Sequence, residues 1–224
     1  QNGYNGGDGR AVYWIGKDIT SDKVYAFNTN YQTQLSENID FLVALTYQRT
    51  TSELYKEVED LLGASYVLNK DDFADNTIAN SFDMNNPDYV ARQGDRYEYN
   101  YEINRNYADV YAQTKIKGSL LDVTIGMHAS FTDFYRDGKY RHYLYDERSF
   151  GKSKTYDFFN FGIKSQFMFK LDGRNFVVLN GQYSTEAPTA DEVFPNARLH
   201  DLTIGEIDNA KIYSGDLSYI LRAP

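Results

Sequence analysis

Few residues of this chain have the type and spacing that catalysis or metal binding requires. It contains 3 His and no Cys, which excludes a disulfide scaffold and a thiolate metal site. His128, His142 and His200 share no metal-ligand spacing. His128 falls on the polar side of an alternating segment, where a contact inside a barrel is favoured over a role as catalytic base. The sequence therefore predicts no enzyme. The alternative left open is a barrel enzyme in which His128 or His200 works beside an acid.

Acidic residues in the first long aperiodic stretch are a second candidate for chemistry. Asp71, Asp72 and Asp75 offer carboxylate oxygens, which hard cations such as Ca²⁺ prefer. A solvated acidic surface is the favoured alternative, so the identity of any metal stays open and no cofactor is predicted. The run 151–153, Gly-Lys-Ser, resembles the end of a phosphate loop. That motif requires Gly where Asp146 stands, and no helical pattern follows.

The stretch from Phe161 to Tyr183 shows which elements must position these residues. Apolar and polar residues alternate over 161–169, Asp172-Gly173 marks a turn, and alternation resumes over 177–183. Each arm has about ten residues, whereas soluble strands peak at about five to six and a tilted strand needs about nine to eleven to cross a bilayer. One face of both arms is uncharged, so this stretch predicts a transmembrane β-hairpin.

The same alternation recurs along the chain and predicts an all-β fold. The predicted strands form one antiparallel meander and cover 23–34, 40–52, 105–117, 120–134, 156–170, 175–185 and 210–222. Tight turns alternate with long connections at 49–104, 133–155 and 184–209, the asymmetry of an outer-membrane barrel with long extracellular loops. Residues 1–22 read as loop, and apolar spacing within 54–68 predicts a short helix. Seven strands leave open edges that hydrocarbon does not tolerate. Residues 1–224 are therefore predicted to be a partial transmembrane β-barrel domain, with its remaining strands absent.

The two faces of these strands differ in charge, although 25% of the chain is charged. The predicted lipid-facing residues are Phe41, Leu45, Val123, Ile125, Ile163, Phe167, Leu179 and Leu217. The predicted lumen-facing residues are Gln113, His128, Lys164 and Asp216.

Bulk properties narrow the function classes. A net charge of −9 argues against nucleic acid, because phosphate binding needs a basic surface. The mean hydropathy of −0.61 is compatible with a barrel, in which only alternate strand residues meet lipid. No apolar run reaches the length of a membrane helix. Residues 1–10 lack the pattern of a signal peptide, so we expect the exported protein to begin before residue 1.

The late part of the chain carries an ordered set of loose motifs. An Ala187-Pro188 step precedes an acidic and aromatic turn over 191–194, and a loop acid, Glu206, precedes the strand motif Tyr213-Ser214-Gly215. This order resembles late-barrel segments of TonB-dependent outer-membrane receptors. The turn 134–139 and the run 151–160 resemble the branch of that family with an amino-terminal carboxypeptidase-regulatory-like domain. The family's plug domain, TonB box and carboxy-terminal strands have no counterpart in the sequence.

The resemblance implies that the chain is a barrel portion of a TonB-dependent transporter that takes up a nutrient across the cell outer membrane. The implied partners are outer-membrane lipid, the TonB energy-coupling complex reached through the plug domain, and a surface lipoprotein. The alternative is a soluble all-β module that binds glycans through exposed Tyr and Trp. The substrate stays open among iron chelates, cobalamin-like compounds, glycans and peptides. Candidate ligand-binding residues in the loops are Trp14, Tyr66, Asp71, Asp72, Tyr143 and Asp191.

Overall fold

The computed structural model describes residues 7–74 and 80–223. Ten strands and two short helices occupy them. The long strands are β1 (Ile15–Ser36), β2 (Ile39–Asp60), β5 (Arg96–Lys117), β6 (Leu121–Gly138), β8 (Tyr156–Lys170), β9 (Asn175–Glu186) and β10 (Ala210–Leu221). The short elements are β3 (Val67–Leu68), β4 (Val90–Ala91), α1 (Asp146–Ser149), β7 (Gly151–Lys152) and α2 (Ala190–Val193). None of the helices in these ranges has the length and apolar character needed to span a membrane.

The long strands form one antiparallel meander in the order β1-β2-β5-β6-β8-β9-β10, which confirms the predicted all-β fold and its sequential pairing. The short strand β7 pairs with β6, and β3 pairs with β4 in a separate two-stranded sheet. Within the described ranges, β1 and β10 each pair with one neighbour only, so the sheet is open there.

Short connections lie at one end of the sheet and long ones at the other. The turn after β8 is fixed by Asp172, whose Oδ1 accepts hydrogen bonds from the backbone N–H groups of Arg174 and Asn175 at 2.8 and 2.9 Å. Residues 61–95, 139–155 and 187–209 make the long connections, which we call loops A, B and C. Because neighbouring strands are antiparallel, all three emerge at the same end.

Two sequence predictions are wrong where the strands run further than expected. Residues 15–22 belong to β1 rather than to a loop, and residues 54–60 belong to β2 rather than to a helix. Leu54 and Val58 are four residues apart, a spacing that places them on one side of a helix and equally on one side of a strand. The segment is a strand because residues 54–60 pair with β1 on one side and residues 54–57 pair with β5 on the other.

The buried core lies at the loop end of the sheet. One cluster joins residues of β5, β6 and β8 to loop C, and its members are Tyr99, Tyr101, Phe134, Phe158, Val193, Phe194 and Ala197. The second cluster joins β2 and β5 to loop A and to the segment before β1, and its members are Ala11, Val58, Leu61, Val67, Ala91 and Tyr97. The loops are therefore packed structures that rest on the strand ends.

Candidate functional site

Successive residues of each strand alternate between two faces of the sheet. We call the face that loop C covers the inward face, because Phe134 of β6 on that face contacts Phe194 of loop C at a ring distance of 6.3 Å. The opposite side is the outward face. The two faces have different chemistry.

The outward face carries an uncharged band across all seven long strands. Strand register aligns its upper row, which consists of Phe27, Tyr47, Ala108, Phe131 and Phe159. Its lower row consists of Leu121, Phe169, Val177 and Tyr219. Between these rows no outward residue of β1 to β9 is Asp, Glu, Lys or Arg, whereas in β10 Lys211 pairs with Thr185 and the uncharged part begins at Tyr213. The band is therefore a continuous surface without charge.

A polar row ends the band on the side of the long loops. Arg49, Asn106, Asp133 and Asp157 are aligned there by register. The Asn106 side chain donates a hydrogen bond to Asp133 at 3.0 Å. From Leu121 to Phe131 a strand rises about 34 Å at about 3.4 Å per residue. At the tilt of about 35–45° usual in outer-membrane barrels, that rise gives a band height of about 25 Å, the height of their apolar belt.

The residues predicted to face lipid all lie in this band. Those that are exposed are Leu45, Ile125, Ile163, Leu179 and Leu217, with Leu217 at 72%. Phe41, Val123 and Phe167 are partly covered by their neighbours. Apolar side chains exposed over so large a continuous surface mark a surface that contacts another apolar phase or partner.

The inward face is a polar trough made of three adjoining cavities. The cavity nearest the tight turns has a volume of about 460 Å³, and Gln113, Lys164 and Asp216 line it. A second, of about 260 Å³, shares Lys164 with the first and is lined also by His128. The third, of about 820 Å³, lies beneath loop C and shares His128 with the second. The four residues predicted to face a lumen thus lie along this trough.

Hydrogen bonds between strands hold the lower part of the trough. The Gln166 amide donates to Asn180 at 3.0 Å, and the Asn180 amide donates to Asp216 at 2.9 Å. The Lys164 ammonium lies 5.0 Å from the centre of the Tyr111 ring, a distance at which a cation is attracted to the ring face. This wall therefore presents fixed amide and charged groups to water.

His128 sits at the middle of the trough in a tightly packed position. Its Nδ1 lies 3.3 Å from the Asp109 carboxylate. A Cβ at Gly162 would lie 2.4 Å from the imidazole Nε2, so glycine is required there for the ring to fit. Asp109 orients the ring, and Ser184, which lines the same cavity, accepts a hydrogen bond from the Gln182 amide at 3.3 Å. The arrangement suits a wall contact, as the sequence indicated.

Loop C is fixed to the sheet by a buried arginine. Arg136 is 2% exposed, and its guanidinium donates to the carbonyl oxygens of Ala197 at 2.6 Å and Ser149 at 2.8 Å. One side chain thereby joins loop B and loop C to β6. The helix α2 within loop C begins with a capping box between Thr189 and Glu192. Hydrogen bonds from Thr189 lower the pKa of the Glu192 carboxyl.

Four of the six predicted ligand-binding residues lie together in the loops. Tyr143 of loop B donates to the Asp71 carboxylate of loop A at 3.1 Å. Asp72 forms an ion pair with Arg10 at 2.7 Å, and the backbone of Arg10 forms an isolated parallel β-bridge with Tyr66. The remaining two lie elsewhere. Trp14 packs edge-on against Tyr97 at 6.0 Å, and Asp191 is exposed on α2.

The acidic residues of loop A are engaged with protein groups. Asp71 accepts hydrogen bonds from Tyr143 and from the backbone of Phe73, and Asp75 lies outside the described residues. Across residues 7–74 and 80–223, no group of three His, Cys, Asp or Glu is arranged to hold a metal ion.

Two histidines, one in loop B and one in loop C, have pKa values that burial lowers. His142 is buried at 5% exposure, its Nδ1 accepts the Leu144 N–H at 3.1 Å, and its ring stacks on Tyr143. His200 of loop C contacts Tyr145 at a ring distance of 4.4 Å. Burial lowers the pKa of His142, an effect that His200 reinforces and Asp71 opposes. Protonation of Nδ1 would remove its acceptor site.

Acidification should loosen loop B around His142. Because the pKa of His142 is lower in the folded loop than its ordinary 6.5, the unfolded loop binds the proton more tightly. The contribution of His142 to the stability of loop B is complete above about pH 6.5 and declines as the pH falls below that value. Hydrogen exchange of peptides covering 139–150, corrected for intrinsic rates, should show protection lost between pH 7.5 and about pH 5. His142→Asn keeps an acceptor without titrating, so an equal pH response in that variant would contradict the role of His142.

Sequence reasoning missed the polar residues beneath loop C. Asn160 and Thr132 line the 820 Å³ cavity and are 3% and 2% exposed. Strand alternation alone places both on the inward face, but only the packing of loop C reveals their burial. Arg136 was missed for the same reason, since nothing in its local pattern separates it from a solvated arginine.

Comparisons of the chain with protein-family models, with curated proteins and with solved structures gave no match.

Proposed function

We propose that this chain forms part of the barrel wall of a TonB-dependent transporter in the cell outer membrane. In this role the outward band contacts lipid, the inward trough borders the path of a nutrient, and loops A to C face the outside of the cell. The partners are outer-membrane lipid and the TonB energy-coupling complex, which acts through a plug domain. A surface lipoprotein that delivers the nutrient fits the exposed loops.

The uncharged outward band is the observation that carries the proposal. A soluble sheet covers an apolar face with a second layer, because apolar area is stabilised by removal from water. In the part of the chain that the structure describes, the second sheet is only β3 with β4, and it lies at the loop end. The height of the band, its lack of charge and the polar row above it fit a lipid environment.

Unpaired edges add a requirement to the proposal. Among the described residues, β1 and β10 expose backbone groups along one side each. Such groups need hydrogen-bond partners in hydrocarbon. Further strands must therefore pair with both edges in the membrane. The soluble glycan-binding alternative does not need them, so the two functions differ in whether the full-length protein closes a barrel.

Uptake by cells tests the proposal. Cells that express the full-length receptor should accumulate one of a panel of labelled ferric chelates, cobalamins, oligosaccharides or peptides, and removal of TonB should abolish that accumulation. Replacing loop A residues 61–95 with a Gly-Ser linker should reduce uptake at least tenfold, since binding residues on loops are positioned by the rigid sheet.

A matched control changes a connection at the other end of the sheet. Replacing Glu37-Asn38, the β1–β2 turn, with Asn-Gly should leave both receptor amount and uptake unchanged. Uptake that persists without TonB, or a receptor that fractionates with soluble proteins, would defeat the proposal.

A further inference from the structure

The upper part of β8 has a partner strand on one side only. On the side of β6 its pairing continues up to Tyr156. On the side of β9 the ladder starts at Gly162, and above it the Thr185 hydroxyl accepts the backbone N–H of Phe161 at 3.0 Å. Within residues 7–74 and 80–223, no strand pairs with residues 156–161 on that side. β8 therefore has an open edge inside the sheet.

Loop C runs beside this open edge and leaves a gap. It returns to the sheet at Asn209, whose side-chain amide donates to the carbonyl oxygen of Phe159 at 2.7 Å. A cavity of about 380 Å³ lies between residues 154–158 and the 203–207 segment of loop C. We call this cavity the slot. Residues of both faces of β8 line it, so the slot lies along the edge of the strand rather than over one face.

The backbone of β8 offers hydrogen-bonding groups to the slot. Along a strand, the N–H and C=O groups of successive residues point alternately to the two neighbours. Phe159 and Phe161 direct theirs to the side of β9, where Asn209 and Thr185 bind them. Asp157 lies two residues further up, so its N–H and C=O point to the same side. Such groups on an exposed edge are a template for a further strand.

Side chains around the slot select the residues that an added strand would carry. Phe158 is 7% exposed in the buried cluster beneath loop C, and Ile207 packs against the same cluster. The inward side of the slot is therefore apolar. On the outward side, Asp157 is exposed and lies directly opposite Asp133 of β6. Like charges in that position are destabilising, so a basic residue beside them would offset the repulsion.

The surroundings of the slot are acidic as well. Glu206 and Asp208 of loop C are exposed beside it. Among the residues that line the slot, Lys154 is the basic one, and its ammonium lies 5.4 Å from the centre of the Tyr156 ring. Charge complementarity therefore favours a basic partner over an acidic one.

We propose that the slot binds an extended, basic segment of a partner polypeptide, which adds as a strand antiparallel to β8. Apolar side chains of that segment face Phe158, and Lys or Arg side chains alternate with them and face Asp157. Strand addition takes its affinity from main-chain hydrogen bonds and its specificity from alternate side chains. The inference goes beyond transport, because it depends only on the sheet and on loop C.

Binding of designed peptides to the purified full-length protein in detergent tests the slot. The probe is a capped peptide of about seven residues in which Val and Lys alternate, long enough for one strand. A peptide in which Val and Glu alternate has the same pattern with the opposite charge. Fluorescence anisotropy should show that the Val-Lys peptide binds at least tenfold more tightly, because only its charges complement the slot.

N-methylation of the peptide separates strand addition from charge attraction alone. In an antiparallel pair, the residue opposite Asp157 has its side chain on the same face and directs its own N–H to β8. Those residues are the Lys residues of the probe. Methylating the Lys amides should therefore weaken binding at least tenfold more than methylating the Val amides, although the charge is unchanged.

A charge reversal in the chain locates the site. Asp157→Lys should weaken binding of the Val-Lys peptide about tenfold or more and should strengthen binding of the Val-Glu peptide, a gain that an unfolded variant would not show. Glu147→Lys is the matched control, because Glu147 is exposed on α1 and does not line the slot. Equal binding of the two peptides, equal effects of the two methylations, or equal losses in the two variants would overturn the inference.

Discussion

Ile125→Arg should lower the free energy of unfolding in lipid vesicles by about 2–4 kcal/mol, because it places a charge near the middle of the outward band. Ile125 is 41% exposed on that face, paired with Thr114 and Ser165. The same substitution at Leu121, in the lower row, should cost about 0–1 kcal/mol, since an arginine near the interface reaches water. A urea titration of the full-length receptor in vesicles measures both.

The control for this series is Thr124→Arg. Thr124 neighbours Ile125 in sequence but lines the 460 Å³ cavity on the inward face, where water solvates the guanidinium. Gly126 is unsuitable, because a Cβ there would lie 2.5 Å from the Tyr111 hydroxyl and add a steric cost. Equal costs at positions 124 and 125 would show that the outward face does not meet lipid.

Arg136→Met should detach loops B and C from the sheet. The substitution leaves the carbonyl oxygens of Ala197 and Ser149 without their charged donor, at about 1.5–3 kcal/mol for each hydrogen bond. The loss of about 3–6 kcal/mol should fall on the loops, because the ladder of β6 with β5 and β8 does not involve this side chain. Proteolysis within 139–155 and 187–209 should accelerate by at least a hundredfold while the sheet stays resistant.

An exposed arginine of loop C provides the comparison. Arg198 pairs with Asp18 at 3.2 Å, and about half of each side chain is exposed. Arg198→Met should change loop proteolysis little, because exposed ion pairs contribute about 0–1 kcal/mol. Similar proteolysis rates in the two variants would mean that Arg136 does not hold the loops.

The strands could be predicted from the sequence where the apolar residues fit the two-residue period of a strand and not the period of a helix. Val123 to Phe131 alternates without interruption, and the strand begins where the pattern predicts it but continues to Gly138, into the predicted loop 133–155. The prediction failed at 54–60, where a four-residue spacing fits two periods, and at 15–22, where Gly and Asp residues hide a strand that long-range pairing stabilises. Boundaries beyond the band depend on neighbours that local sequence does not identify.

Some residues of the candidate site could likewise be predicted from the sequence, and others could not. Gln113, Lys164 and Asp216 were predictable as lumen residues because face follows from position in the strand. The cavity beneath loop C was not, because it forms only when loop C, distant in sequence, packs over β8. The grouping of Tyr66, Asp71 and Tyr143 likewise depends on how loops A and B meet.

The strict alternation of the seven strands has a consequence for how the gene can vary. Point substitutions within a face exchange one apolar or one polar residue for another, and the sheet absorbs them. A single inserted or deleted codon between residues 121 and 131 would turn every following side chain of that strand to the other face. Natural length variants should therefore be confined to loops A, B and C and to the tight turns, and strand lengths should be constant while their sequences drift.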